Sequence, residues 1–302
     1  MPIAESWTIR SGGVRAVVGA RGGGIRELTV DGATVIADAA GGEVPAAFDG
    51  LVLAPWPNRI PDGRWTWRGA PQQLAVSEPA TSSAVHGLVA WSAWRAGRVD
   101  ADAVEVLVDV LPQPGYPFRL EIAVTWTVVA DGLHCRMRAL NLGDADAPFG
   151  IATHPYVGVP GASVDDLVLT LPAASWTEVD ANLHPVAVHD VDGGPNDFRA
   201  GAPLADVRLD MAFSDRIDAA PARITGPAGT VEMWADASFG WWQVYTSDYF
   251  PEESPRRRST VALEPMTCGP NAFNSGRDVV VLAPGHEWSG EWGVRYLPTE
   301  SA

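Results

Sequence analysis

Two ionisable side chains each stand between an apolar run and a proline. Glu264 follows the strand-like run 259–263 and precedes Pro265, and His154 ends an apolar run and precedes Pro155. Proline restricts the preceding residue to extended backbone and supplies no donor of its own. We therefore expect both side chains at strand ends, partly shielded from water. Such shielding raises the pKa of a carboxyl group, and histidine exchanges protons near neutrality, so the pair fits general acid–base chemistry.

Further polar groups interrupt apolar or turn segments in three places. Asn58 and Arg59 offer amide and guanidinium donors suited to a hydroxylated ligand. His86 precedes Gly87, as at a bend where backbone approaches a ligand. Asp210 lies between apolar residues and can accept hydrogen bonds. Taken one at a time, Asn58-Arg59 fits a salt-bridged loop equally well. A structural histidine is the commoner reading of His86, and a turn cap is the commoner reading of Asp210.

The composition excludes several classes of function. The formal net charge of the 302-residue chain is −16, which argues against nucleic acid and anionic membranes as partners. The chain has no lysine, which excludes lysine Schiff bases and P-loop chemistry. Cys135 and Cys268 are read as two free thiols. With no apparent signal peptide and no membrane-length apolar run, we expect a soluble cytoplasmic protein.

The hydrophobic pattern predicts an all-β fold. Residues alternate with a period of two, most clearly in the hairpin 120–140, where Asp131-Gly132 marks the turn. Many short runs separated by Gly and Pro favour one large antiparallel β-sandwich spanning residues 1–302. We expect long loops at 39–50, 180–204 and 249–259. Some of the 13 tryptophans are expected to line a cleft, where indole faces suit sugar rings.

Together these segments resemble the aldose 1-epimerase (galactose mutarotase) family. The resemblance covers most of the chain, and its motifs appear in the family's order. The matching segments are Asn58-Arg59-Ile60, His86-Gly87, His154-Pro155-Tyr156, Asp197-Phe198-Arg199, Leu209-Asp210 with Phe213, Gln243-Val244-Tyr245, Leu263-Glu264-Pro265, Pro270-Asn271-Ala272 and Ala283-Pro284-Gly285.

The resemblance implies a galactose mutarotase-like sandwich and an isomerase that interconverts the α and β anomers of an aldohexose. Glu264 would act as base on the anomeric hydroxyl, and His154 would protonate the ring oxygen. The residues implied to orient the sugar are Arg59, His86, Asp210, Asn58 and Gln243. No cofactor or metal is implied. The expected partner is a small sugar, and the protein is expected to be a monomer or a homodimer.

Four other readings stay open at this level. A hexose-6-phosphate 1-epimerase would use the same chemistry, with Arg256, Arg257 and Arg258 as a possible anion-binding run. A glycoside hydrolase would need two carboxylates at a set separation. A metal enzyme would use His86, His154 and Glu264 as ligands. A non-catalytic sugar-binding sandwich would need no acid–base pair. The sequence does not identify the sugar.

Overall fold

The computed structural model describes residues 5–37, 45–248, 250–254 and 256–299. The expected loops at 39–50 and 249–259 lie partly outside these ranges. The strands, in chain order, are β1 (Ser6–Ser11), β2 (Val14–Gly19), β3 (Ile25–Val30), β4 (Ala33–Ile36), β5 (Val52–Leu53), β6 (Arg59–Pro61), β7 (Arg64–Trp67), β8 (Ala70–Gln73), β9 (Ser83–Val85), β10 (Arg95–Val99), β11 (Ala103–Val110), β12 (Leu120–Val129), β13 (Gly132–Asn141), β14 (Ala147–Phe149), β15 (Ala152–Thr153), β16 (Tyr156–Val157), β17 (Val168–Thr170), β18 (Ala173–Val179), β19 (Pro185–Asp190), β20 (Ala202–Pro203), β21 (Asp210–Arg216), β22 (Ala222–Gly226), β23 (Gly229–Ala235), β24 (Trp241–Tyr245), β25 (Val261–Met266), β26 (Val280–Leu282) and β27 (Glu287–Pro298).

Helical structure is confined to short turns in the described residues. They are the 3-10 turns Ala46–Phe48, Pro79–Thr81 and Val164–Asp166 and the helix α1 (Ala272–Ser275). No helix in this part of the chain is long and apolar enough to cross a bilayer.

Two large antiparallel sheets dominate the architecture. The nine-stranded sheet has the order β10-β11-β12-β13-β27-β23-β22-β17-β20. The eight-stranded sheet has the order β19-β18-β21-β24-β25-β15-β5, with β16 also paired to β25. A four-stranded sheet, β1-β2-β3-β4, and three two-stranded pairs, β14-β26, β6-β9 and β7-β8, complete the set. The predicted all-β antiparallel sandwich is confirmed.

The alternation of apolar residues explains how the long central hairpin packs. In β12 and β13, Trp126 lies opposite Cys135 and Val124 lies opposite Met137, and all four are fully buried. Side chains two residues apart share one face of a strand, so this face of the nine-stranded sheet is continuously apolar. Burial of such a face is the main favourable term in folding. Cys135 and Cys268 are free thiols, as predicted.

The expected loop at 180–204 is wrong in part, because it contains strands β19 and β20. β19 is an edge strand that pairs only with β18, and its Val186 and Val188 are exposed. An edge strand has one unpaired side and can begin with proline, here Pro185. The segment therefore lacks the apolar alternation of a buried strand.

Strand β25 does not break at Glu264 as expected, since it continues through Pro265 to Met266. On the side of β25 that faces β15 and β16, the Leu263 N–H donates to Pro155 O and the Thr267 N–H to Ile151 O. The missing N–H of Pro265 falls between these two bonds, opposite Thr153, the last residue of β15. The strand continues through the proline because the bonds on either side of it hold β25 to its neighbours and the other edge of β25 pairs with β24.

Candidate active site

A cleft of about 390 Å³ is lined by residues of the eight-stranded sheet and of the segments next to it. All seven residues proposed from the sequence as catalytic or sugar-binding line it: Asn58, Arg59, His86, His154, Asp210, Gln243 and Glu264. The other lining residues are Ala47, Phe48, Glu78, Ala80, Thr81, Tyr156, Leu183 and Tyr245. Segments more than two hundred residues apart in sequence, such as those of Asn58 and Glu264, thus meet at one site.

Three neighbouring strands supply the polar floor of the cleft. Gln243 on β24 lies opposite Glu264 on β25, and Asp210 begins β21. Gln243 Nε2 donates to Asp210 Oδ1 at 2.6 Å, and Gln243 Oε1 accepts from Asn58 Nδ2 at 3.1 Å. Each end of the buried amide therefore has one partner, which fixes its orientation and leaves Asp210 as an acceptor.

The small β6-β9 sheet places the donors on one wall. The Asn58 N–H donates to His86 Nδ1 at 3.2 Å, and the His86 N–H donates to Asn58 O at 3.0 Å. Because Nδ1 accepts, neutral His86 carries its proton on Nε2. Asn58 and His86 both have left-handed backbone, with φ of 55° and 59°. Non-glycine residues held in this region are frequent at functional sites.

Gly87 shows why glycine follows His86. Its φ is 74°, and a Cβ added there would lie 2.0 Å from Ala54 O. Any side chain would push the backbone away from the cleft wall, so the position requires glycine.

His154 lies directly after β15, and its ring reaches the carboxylate on the neighbouring strand. His154 Nε2 is 3.3 Å from Glu264 Oε1. The remaining atoms of the pair, His154 Nδ1 and Glu264 Oε2, are buried and have no hydrogen-bond partner in the described protein. Buried polar atoms are normally paired, so both members of the pair keep unused hydrogen-bonding capacity.

Burial raises the pKa of Glu264 and lowers the pKa of His154. Only 1% of Glu264 is exposed, and burial, followed by repulsion from Asp210, raises its pKa well above the usual value, although Arg59 opposes this. Burial lowers the pKa of His154 to about 3, and the positive charge of Arg59 acts in the same direction. Burial also lowers the pKa of His86. These directions favour one proton on the pair, carried by Glu264.

Arg59 is held by an acidic partner, Glu78, that no sequence pattern singled out. Its Nε donates to Glu78 Oε2 at 2.6 Å and its Nη2 to Glu78 Oε1 at 3.2 Å. Thr81 Oγ1 also donates to Glu78 Oε2. Nothing in the polar stretch before His86 distinguishes Glu78 from an exposed loop residue.

The expected tryptophans do not line the cleft, whose aromatic residues are Phe48, Tyr156 and Tyr245. The rings of Phe48 and His86 are 4.6 Å apart, and those of His154 and Tyr156 are stacked at 5.1 Å. The nearest tryptophan contact is Trp91, which is 45% exposed and packs on Phe48 at 4.9 Å. Tyr156 belonged to the His154-Pro155-Tyr156 motif, so its place was detectable; Phe48 left no comparable signal.

The arginine run at 256–258 does not line the cleft. Arg256 pairs with Asp49 at 2.7 Å and lies over the rings of Tyr156 and Phe250. Arg257 donates to backbone carbonyl groups. Arg258 pairs with Asp165 and Asp248. All three guanidinium groups are engaged by the fold, which leaves Arg59 as the cation of the cleft lining.

The remaining histidines lie outside the cleft lining. His184 Nε2 lies 2.9 Å from Ser83 Oγ, and Asp180 is next to His184, an order of groups found in serine hydrolases. Ser83 is fully buried and donates to Thr81 O, so it is not placed as a nucleophile. Among the described residues no group of three His, Cys, Asp or Glu side chains is arranged to hold a metal ion.

Comparison with known proteins identifies one family over nearly the whole chain. The family model described as aldose 1-epimerase matches residues 5–295. The uncharacterized protein YihR of Escherichia coli (strain K12) is 33% identical over 282 residues, which cover 93% of this chain and 90% of that protein.

Solved structures show the same fold at lower identity. A putative aldose 1-epimerase from E. coli K12 is 20% identical, with a TM-score of 0.86 over 98% of this chain and 99% of the other. A GalM/aldose epimerase homologue from C. elegans is 21% identical, with a TM-score of 0.85 over 98% and 100%. Galactose 1-epimerase from Lactobacillus acidophilus is 17% identical, with a TM-score of 0.84 over 98% and 95%. The chain has the galactose mutarotase-like sandwich fold and belongs to the aldose 1-epimerase family.

Proposed function

We propose that the protein is an aldose 1-epimerase that interconverts the α and β anomers of an aldohexose, with Glu264 and His154 as its base and acid. The observation that carries the proposal is the buried contact of 3.3 Å between these side chains, surrounded by groups able to orient hydroxyls. A carboxylate and an imidazole supply the base and the acid that ring opening needs.

Ring opening moves two protons at once. Glu264 takes the proton of the anomeric hydroxyl, the C1–O5 bond breaks, C1 becomes a carbonyl carbon and His154 gives its proton to O5. The C1–C2 bond then rotates. On closing, O5 returns its proton to His154 and attacks the other face of C1, while Glu264 protonates the new O1. The pair starts and ends with its proton on His154.

The starting form of the pair has the opposite distribution of the proton to the one that burial favours. Burial favours Glu264 protonated and His154 neutral, which is the distribution in the open-chain intermediate. Arg59 favours the carboxylate form of Glu264 and therefore the starting form of that residue. We infer that a bound sugar replaces the direct Glu264–His154 contact, and that the proton moves to His154 before the ring opens.

The remaining polar groups are proposed to orient the sugar. His86 offers Nε2–H, Asp210 accepts, and Arg59 offers the N–H groups that Glu78 does not use. Asn58 and Gln243 act mainly by fixing these groups, since they bond each other across the cleft floor.

We propose a neutral aldohexose as substrate and the cytoplasm as location. A phosphate dianion needs several paired cations. Among the described residues the cleft lining has one cation, Arg59, beside the acids Glu78, Asp210 and Glu264. A glycoside hydrolase would use two carboxylates, whereas the central pair of this cleft joins a carboxylate to an imidazole.

Polarimetry of freshly dissolved α-D-glucose and α-D-galactose tests the proposal. Wild-type protein is expected to speed the approach to anomeric equilibrium, and Glu264→Gln to lower kcat by at least about a hundredfold, because the amide keeps the shape but cannot accept the proton. Glu252→Gln, at an exposed residue outside the cleft, is the matched control and should behave as wild type. If a panel of aldoses shows no acceleration, the protein is not a mutarotase of these sugars. An active Glu264→Gln would instead overturn the assigned role.

A further inference from the structure

The contact between Arg59 and Glu78 is built more firmly than a surface ion pair. Both carboxylate oxygens of Glu78 accept from Arg59, at 2.6 and 3.2 Å, and the two side chains are only 12% and 27% exposed. Two-point arginine–carboxylate contacts fix the plane of the guanidinium group as well as its position. Arg59 therefore has one defined orientation in the cleft wall.

Glu78 is itself held from several directions. Its backbone exchanges hydrogen bonds with Ser83, with N–H to O distances of 3.0 and 3.1 Å. Thr81 donates its hydroxyl to the carboxylate. Hydrogen bonds from Arg59 and Thr81 lower the pKa of Glu78 against the effect of burial, so it stays ionised. The segment 78–83 thus presents a fixed anion to Arg59.

The pairing leaves part of the arginine free. In the described part of the chain, Nη1 of Arg59 has no hydrogen-bond partner and the residue lines the cleft, while Nε and one N–H of Nη2 point to Glu78. The carboxylate of Glu78 partly neutralises the positive charge that Arg59 presents to a ligand. The N–H groups of Arg59 that do not bond Glu78 can still donate hydrogen bonds into the cleft. Such a group suits an uncharged hydroxyl better than a dianion.

We propose that Glu78 is a positioning and specificity-determining residue, which aims Arg59 at a sugar hydroxyl and reduces its attraction for anionic sugars. The inference rests on the proposed mutarotase function and adds a residue to it. Glu78 does not touch the reacting atoms; it acts through Arg59.

A double-mutant cycle tests this coupling. Glu78→Gln, Arg59→Met and the double variant are compared with wild type by polarimetry with glucose, with kcat and KM measured separately. We expect Glu78→Gln to raise KM about three- to tenfold with a smaller change in kcat, because ground-state orientation is lost while Glu264 and His154 are intact. In the Arg59→Met background the same substitution should change kcat/KM by less than about twofold. Additive effects would overturn the proposal.

A second measurement depends only on the single variant. The ratio of kcat/KM for glucose 6-phosphate to that for glucose should rise at least fivefold in Glu78→Gln, because Arg59 then keeps its full charge. An unchanged or lower ratio would overturn the proposal. Glu178→Gln is the control: it removes the same charge from an exposed pair with His189, outside the cleft lining, and should leave the ratio unchanged.

The controls separate the possible failures. If wild-type protein does not accelerate mutarotation, the proposed function fails. If wild type is active and Glu78→Gln matches it in KM and in the phosphate ratio, only the role of Glu78 fails. Glu78→Asp keeps the charge on a shorter side chain, and its phosphate ratio should stay closer to wild type. A drop in melting temperature without these kinetic changes would mean that Glu78 is structural.

Discussion

At the level of single residues, the site combines groups that a folded protein normally avoids. The carboxyl group of Glu264 is only 1% exposed, and the nearby charge of Asp210 raises its pKa further. One of its two oxygens has no hydrogen-bond partner among the described residues. Burial of an ionised group without full compensation destabilises the native state. The sequence located Glu264 and His154 because both precede proline, but it did not reveal their direct contact. Glu78 was missed because its importance depends on Arg59, 19 residues away, and no local pattern reports it.

The raised pKa of Glu264 predicts how stability depends on pH. A group whose folded pKa exceeds its unfolded value, here near 4.5, stabilises the fold below that value and loses this contribution as pH rises through the folded pKa. Glu264→Gln removes the titration. The melting temperature of the variant relative to wild type should therefore rise between about pH 4.5 and pH 8. Calorimetry across this range measures it, with Glu252→Gln as control; a constant or falling difference would contradict the raised pKa.

At the level of elements, periodicity predicted the buried strands well and the boundaries near the site poorly. The hairpin of β12 and β13 was evident because apolar residues alternate along both strands. β19 was not predicted because its residues lack the alternation of buried and exposed side chains, which an edge strand does not need. β25 was cut short at Glu264 because a proline inside a sheet argues against a strand, and only the pairing with β24 and the bonds at Leu263 and Thr267 show that the strand continues.

Pro265 offers a test of this explanation. Pro265→Ala creates a backbone N–H that faces the carbonyl of Thr153, the residue opposite it in the register of β15 and β25. Pro203→Ala, at an exposed position of the edge strand β20, loses the same proline constraint but gains no such bond. We expect the free energy of unfolding of Pro265→Ala to exceed that of Pro203→Ala by about 0.5–1.5 kcal/mol, the usual net contribution of one hydrogen bond. Urea denaturation measures both; equal values would refute the argument.

At the level of the whole molecule, one core joins the sheets that carry the site. The main buried cluster includes residues from Ile9 in β1 to Tyr296 in β27, which supports the proposal of a single domain. The sandwich class was predictable from alternation and turn residues alone. The assembly of the cleft was not, because it requires the register between β24 and β25 and the meeting of the β6-β9 pair with the eight-stranded sheet.

The overall charge of −16 leads to a prediction about salt. Charges separated by more than about 8 Å are largely screened at physiological ionic strength. For a neutral aldohexose, kcat/KM should therefore stay within about twofold between low and high salt. Any activity toward glucose 6-phosphate should be lower and should rise with salt, as long-range repulsion is screened. Polarimetry at two salt concentrations distinguishes the two cases, and a phosphate preference that weakens with salt would indicate a cationic site.

The seclusion of the Glu264–His154 pair has a consequence for what surrounds the enzyme during turnover. Ring closure reverses each proton transfer of ring opening. After one turnover Glu264 and His154 are therefore in their starting protonation states, without proton exchange with the solvent. A pair with 2% and 8% side-chain exposure also has little opportunity to trade protons with dissolved acids and bases. Spontaneous anomerisation in water is accelerated by buffer components. The enzymatic rate should instead be the same in dilute and concentrated buffer at one pH and ionic strength, because Glu264 and His154 supply the base and the acid.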